Sequence, residues 1–218
     1  MRRIIGRRFA GALVLAALAG CADPGPQNHG VYMLVDTSGT YAQELAKAQQ
    51  IINAILSGLE PTDSFAVARV DTGSFSEKDI VAKVRFDDRP SLSNQQKRVF
   101  RDRVDDFVKT VNPAPHTDIT GAILQAIEFL NEQETGSKTI LIFSDLKEDL
   151  KEGYIRDIPL PLDGFNIVAV NVTKLRSDNV DPREYLNRLE DWQRRVEAGG
   201  GSWRVINDLN RLDRILTG

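Results

Sequence analysis

Among its 218 residues the chain has one cysteine, Cys21, and two histidines, His29 and His116. A single thiol forms no intramolecular disulfide. So few thiols and imidazoles also leave no convincing zinc cage, Cys-His pair or Ser-His-Asp set. A phosphate-binding glycine loop is missing too, and together these absences argue against an enzyme. Basic excess is lacking: 28 Lys and Arg face 31 Asp and Glu, for a net charge of −3. That balance disfavours a nucleic-acid binder, whose affinity comes from neutralising phosphates, and adhesion to an anionic membrane through a basic patch. There is no internal repeat and no low-complexity tract. What is present, 41% hydrophobic and 27% charged residues, is the composition of an ordinary globular domain.

The amino-terminal segment MRRIIGRRFAGALVLAALAGC reads as an address. Arg2, Arg3, Arg7 and Arg8 precede an uncharged apolar run over 9–19, which is too short to span a membrane as a helix. Leu18-Ala19-Gly20-Cys21 resembles the lipobox of bacterial lipoproteins, in which the cysteine is lipidated and becomes the new amino terminus. That resemblance explains a solitary cysteine at this position. It implies a leader over 1–20, a membrane anchor at Cys21 and a bacterial cell-envelope location. Ala22 after the cysteine points, by analogy with lipoprotein sorting, to the periplasmic face of the outer membrane. Loss of the leader's four arginines takes the net charge from −3 to −7. Residues 21–30, rich in Pro and Gly after Cys21, read as a tether, and 31–218 as one domain.

From Val31 short apolar runs alternate with helix-period stretches, the pattern of an α/β domain. Strands are expected over 31–35, 64–70, 81–86, 139–143, 165–172 and 203–206. Several are apolar on both faces, as in a buried parallel sheet. The second and third are about ten residues apart, too close for a helical crossover, so they should pair as an antiparallel hairpin. Apolar residues at steps of three and four define one helix face through Tyr41, Leu45, Ala48, Ile52, Ile55 and Leu59. A second face runs through Phe100, Val104, Phe107 and Val111 behind a Ser93–Gln96 capping box, and a third through Ile119, Ile123, Ile127 and Leu130. Asp181-Pro182 opens a fourth helix, with Tyr185, Leu189, Trp192 and Val196 on its face, that Gly199 to Gly201 ends.

Polar residues interrupt this pattern where strands end. The first strand runs into Asp36-Thr37-Ser38-Gly39-Thr40, and Ser144-Asp145 follows the strand ILIF; a second polar set, His116-Thr117-Asp118-Ile119-Thr120-Gly121, sits just before the third helix. Ligands of open α/β sheets bind at the carboxyl ends of strands. Asp36, Ser38, Thr40, Thr117 and Asp145 supply only oxygen donors, which suit Mg²⁺ or Mn²⁺, and also Ca²⁺, better than zinc. This set resembles the metal-ion-dependent adhesion site of von Willebrand factor A domains, and the likeness extends from about residue 31 to 216. It implies a Rossmann-like fold: a central, mostly parallel six-stranded sheet with one antiparallel edge strand and helices on both faces.

In that family Ser38, Thr40 and Thr117 would offer hydroxyl oxygens to the metal. Asp36 and Asp145 would hold coordinated waters, and an acidic side chain of a protein partner would fill the open position. Thr120 is an alternative to Thr117. The sequence departs from the family's pattern in having Thr40 where many members have Ser, and Leu146 where Gly is common. Glu148 and Asp149 either enlarge a negative rim or cap the following segment. Two other readings stand beside this one. DTSGT also resembles the DKTGT motif of the haloacid dehalogenase-like superfamily, which would make Asp36 a phosphoryl-accepting nucleophile, Asp145 and Asp149 Mg²⁺ ligands, and Lys138 the superfamily's lysine. The third reading is a scaffold lipoprotein that uses no metal.

Overall fold

The computed structural model describes residues 26–39 and 41–208. The leader, Cys21, Thr40 and the stretch 209–216 therefore lie outside the described residues. The described residues form one six-stranded sheet in the order β3-β2-β1-β4-β5-β6. β1 (His29–Asp36) lies parallel to β2 (Ser64–Val70) on one side and β4 (Ser137–Phe143) on the other. β5 (Phe165–Val170) and β6 (Ser202–Ile206) extend the sheet in parallel. β3 (Ile80–Arg85) runs antiparallel to β2 at the edge, because the short link between them has no room to cross over.

Period-two alternation sends Val31, Met33 and Val35 of β1 to one face of the sheet, and Tyr32 and Leu34 to the other. α1 (Leu45–Gly58) and α2 (Pro90–Thr110) cover the first face. α3 (Ile119–Glu132) and α4 (Pro182–Ala198) cover the second. Residues 31–37 are essentially without solvent contact, as expected of a central strand covered on both faces.

The structure moves several expected boundaries. α2 begins at Pro90, not behind a Ser93–Gln96 capping box; Ser93 lies one turn inside the helix and is buried. Proline at the first helical position has its φ already set and lacks an N–H that would need a partner, so the helix starts there. Gln96 instead accepts the Asp87 N–H at 2.8 Å. β5 stops at Val170 because Asn171 turns into the left-handed region at φ 53°. At the other end of the sheet, the last residues of the expected tether are docked. The His29 N–H donates to Asp63 Oδ1 (2.7 Å), His29 Nδ1 pairs with Ser137 Oγ (2.7 Å), and the Asn28 carbonyl accepts the Gly136 N–H (3.0 Å). A Cβ on Gly136 would stand 1.7 Å from the Pro26 carbonyl oxygen, so this close approach requires glycine.

Candidate metal site

β1 sits where the strand order reverses, and the carboxyl ends of β1 and β4 open a crevice between them. Asp36 ends β1 and is fully buried. Its Oδ1 accepts the Ser38 N–H at 2.8 Å, its Oδ2 accepts the Ser144 hydroxyl at 2.6 Å, and the Ser38 hydroxyl also bonds to it. Asp145, two residues beyond β4, accepts the Lys147 N–H at 2.9 Å. A cavity of about 500 Å³ lies above, lined by Ser38, Thr117 and Asp145, with Lys147, Asp149 and Leu175 around it. The cavity thus joins three of the five expected donors. Asp36 forms the layer beneath, and Thr40 is outside the described residues.

Backbone hydrogen bonds tie the contributing loops into one piece. The Ala114 N–H donates to the Thr37 carbonyl (2.8 Å), and Thr117 and Asp149 exchange two N–H···O bonds (2.8 and 2.9 Å). The Thr37 hydroxyl donates to the Val70 carbonyl at 2.9 Å, fastening the first loop to β2. Thr120 is turned elsewhere: its hydroxyl accepts from Arg195 (2.7 Å) and its N–H donates to Glu148 Oε1 (2.7 Å). Glu148 therefore caps α3, whereas Asp149 lines the cavity and lies 3.4 Å from His116 Nδ1.

Leu146, at the position where glycine is common, has φ 65°. A branched residue pays about 1–2 kcal/mol for that conformation. Against this cost, its side chain is buried and its carbonyl accepts the Trp192 indole N–H at 3.0 Å.

Several residues that support the site carry no motif signal. Asn171 donates to Glu44 Oε2 (3.0 Å), and its carbonyl accepts the hydroxyl of buried Tyr41, which follows the first loop. Arg188 donates to the Asp145 carbonyl at 3.2 Å while making two bonds to Asp178. Asn171 had one legible hint, since asparagine tolerates the left-handed turn that ends a strand.

Burial pushes the Asp36 carboxyl up from its ordinary range, against the pull of its hydrogen bonds. Asp145 is raised by burial first and further by the nearby Asp36 charge. Two buried carboxylates beside neutral hydroxyls suit a hard divalent cation, so the donor chemistry fits the expected metal. Among the described residues no three His, Cys, Asp or Glu side chains converge as a metal cage, so hydroxyl oxygens have to complete any coordination here. The haloacid dehalogenase-like reading loses its lysine: Lys138 pairs with Gly30 at the amino edge of the sheet and bonds Asn131, at the far end of the strands from Asp36.

No family model matches the sequence, and no curated protein matches it. Solved structures do resemble it. A von Willebrand factor type A protein from Catenulispora acidiphila aligns with TM-score 0.57 at 16% identity, over 86% of this chain and 41% of that one. The pilus adhesin SpaC from Lactobacillus rhamnosus GG aligns with TM-score 0.55 at 10% identity, over 88% of this chain and 29% of that one. An aerotolerance-related membrane protein from Bacteroides fragilis aligns with TM-score 0.50 at 14% identity, over 87% and 98%. This chain therefore spans less than half of the first two. At such identities it is the fold that is shared: the six-stranded sheet with its antiparallel edge is that of a von Willebrand factor A domain.

Proposed function

We propose, from a von Willebrand factor A fold with an oxygen-lined cavity at its carboxyl edge, that the protein captures a protein partner through a divalent cation, Mg²⁺ or Mn²⁺, and performs no catalysis. The observation that carries this reading is the convergence of Ser38, Thr117 and Asp145, from three separate loops, on one cavity with Asp36 buried beneath it. Ser38 and Thr117 would hold the ion through hydroxyl oxygens, together with Thr40, and Asp36 and Asp145 through the waters they orient. The bound ion supplies an electrophile for an acidic side chain of the partner. The protein's own part is positioning: Ser144 and the Ser38 N–H fix the Asp36 carboxylate, and the Thr117–Asp149 bridge fixes the third hydroxyl.

Calorimetric titration of Mn²⁺ and Mg²⁺, carried to millimolar metal, tests the site. Thr117→Val should weaken binding by about ten- to a hundredfold, the loss typical when a group supporting a metal is removed. Thr120→Val should leave it unchanged. Equal affinity in wild type and Thr117→Val refutes the assignment.

The same reading places the protein in the bacterial cell envelope, anchored through a lipidated Cys21 and facing the periplasm from the outer membrane. Its support is the leader and lipobox-like sequence, together with the fold's occurrence in a pilus adhesin and a membrane protein. Cys21→Ser should block processing or release the protein from the membrane fraction. Unchanged processing and fractionation would sink the anchor.

A further inference from the structure

α3 carries an acidic stripe. Gln125, Glu128, Phe129 and Glu132 recur at steps of three and four, so they share one face of the helix. Helix physics disfavours this arrangement. Glu128 and Glu132, four residues apart, repel each other, and Glu132 closes the helix, where the dipole disfavours an anion. α3 contains no lysine or arginine to offset either effect. Neither glutamate makes an ion pair among the described residues.

The link between β2 and β3 lies against this stripe, and the two enclose a cavity of about 190 Å³. Phe75 and Glu77 come from the link, and the stripe supplies the opposite wall. Three carboxylates and no basic side chain line it. Lys83 reaches Glu77 from β3 at 2.8 Å, but both partners are exposed, so that pair is weak and readily exchanged. The link itself is tied down. The Asp71 N–H donates to the Ser74 hydroxyl (2.6 Å), which donates back to the Asp71 carbonyl (2.9 Å), and the Ser74 N–H donates to buried Asp118 (3.1 Å). Walls fixed in advance lose little entropy on binding.

Gln125 sets this stripe apart from an ordinary acidic surface. It lines the cavity and is 5% exposed, yet its Oε1 accepts no hydrogen bond among the described residues. Behind the stripe, the Tyr32 ring meets Phe129 edge-on at 5.4 Å, and its buried hydroxyl is unpartnered as well. A buried acceptor without a donor is uncommon and costs free energy. A donor arriving at Gln125 also meets the carboxylates beside it.

We infer that this cavity binds a primary alkylammonium group. The three N–H donors of an ammonium match the Gln125 oxygen and the neighbouring glutamates, and its methylenes pack against Phe75 and Phe129. A bare metal ion suits the cavity less. Among the described residues no three His, Cys, Asp or Glu side chains converge as a cage, and phenylalanine rings offer a metal ion no ligand. The volume is below the about 300–1,000 Å³ of a site for a drug-sized molecule, and suits one side chain or a short diamine. A lysine of a protein and a free diamine offer the same group. The cavity shares no lining residue with the candidate metal site, so the inference does not rest on metal-dependent capture.

Calorimetric titration of the full chain at low salt with cadaverine and, separately, with Nα-acetyl-lysine N-methylamide, carried to millimolar ligand, tests the site. Saturable binding of cadaverine alone supports it with a free diamine as the source; binding of the lysine derivative supports it with a protein side chain. Glu128→Gln and Gln125→Leu should each weaken binding about tenfold, the equivalent of one charge-assisted hydrogen bond. Glu134→Gln, exposed and outside the lining, should not. Without ligand, Glu128→Gln should melt no lower than wild type, because it relieves the repulsion along α3. Glu132→Gln replaces Gln125→Leu if that variant misfolds on circular dichroism. Neither ligand binding, equal affinity in wild type and variants, or an equal loss in Glu134→Gln overturns the site. So does Ca²⁺ that displaces both ligands and itself loses binding in Glu128→Gln.

Discussion

Asp36→Asn is expected to raise the melting temperature of the cation-free protein and to abolish its further rise with Mn²⁺. Burial pushes the Asp36 carboxyl up, and burial together with the Asp36 charge does the same to Asp145. A native state that holds these protons more tightly than the unfolded chain loses stability as pH rises. The loss begins near the ordinary carboxylate value of 3.8 and is complete above the raised native values, so the cost to the cation-free fold grows as pH rises through that window.

Asparagine removes the charge while keeping an oxygen for the Ser38 N–H and turning an N–H toward the Ser144 hydroxyl. Wild type at a hundred times the dissociation constant should gain about 2.7 kcal/mol, roughly 5–10 °C for a domain of this size. The variant should gain nothing. Melting curves across pH, with chelator and with Mn²⁺, check both effects, and the difference between wild type and variant should grow with pH. A cation-free variant less stable than wild type shows that the lost charged hydrogen bonds outweigh the relief.

Arg156→Met should cost about 3–5 kcal/mol, the loss typical when one partner of a buried ion pair is removed. Asp118 is 1% exposed and caps α3 through the Gly121 N–H at 2.8 Å, while accepting the Ser74 N–H at 3.1 Å. Arg156 completes its shell with bonds of 2.7 to 3.1 Å. Methionine leaves that carboxylate buried without a counterion. Because Asp118 follows Thr117, metal affinity should fall as well. Chemical denaturation measures the first effect, and Arg156→Met combined with Asp118→Asn should recover part of it. A loss below about 1 kcal/mol places this pair among weak surface bridges and refutes the argument.

The sheet was legible because its strands are buried on both faces and therefore apolar throughout, and the hairpin because ten residues cannot hold a crossover. The capping box was a misreading of local chemistry. Ser93 and Gln96 have the right spacing, but Pro90 three residues earlier imposes the helical start. At the site, the three loops were visible as polar sets, two directly after apolar strands and one just before α3. The choice between Thr117 and Thr120 was not, because it depends on Arg195 and Glu148, residues 75 and 28 positions away from Thr120, which turn the second threonine toward α4. Arg188 and Arg156 were silent for the same reason: each acts across a long sequence separation on a loop that only the fold brings near.

If Cys21 carries the proposed lipid, the clasp around Asn28 and His29 would set the protein's orientation. β1 carries the chain from that clasp to Asp36 in eight residues, about 25 Å at strand rise. A lipid on Cys21 would pull on the clasped edge, so the domain would stand upright on its anchor with the cavity at its summit, a sheet's height or more above the lipid headgroups. A partner arriving through the aqueous compartment would meet an open site, whereas one lying flat in the same leaflet would find it out of reach.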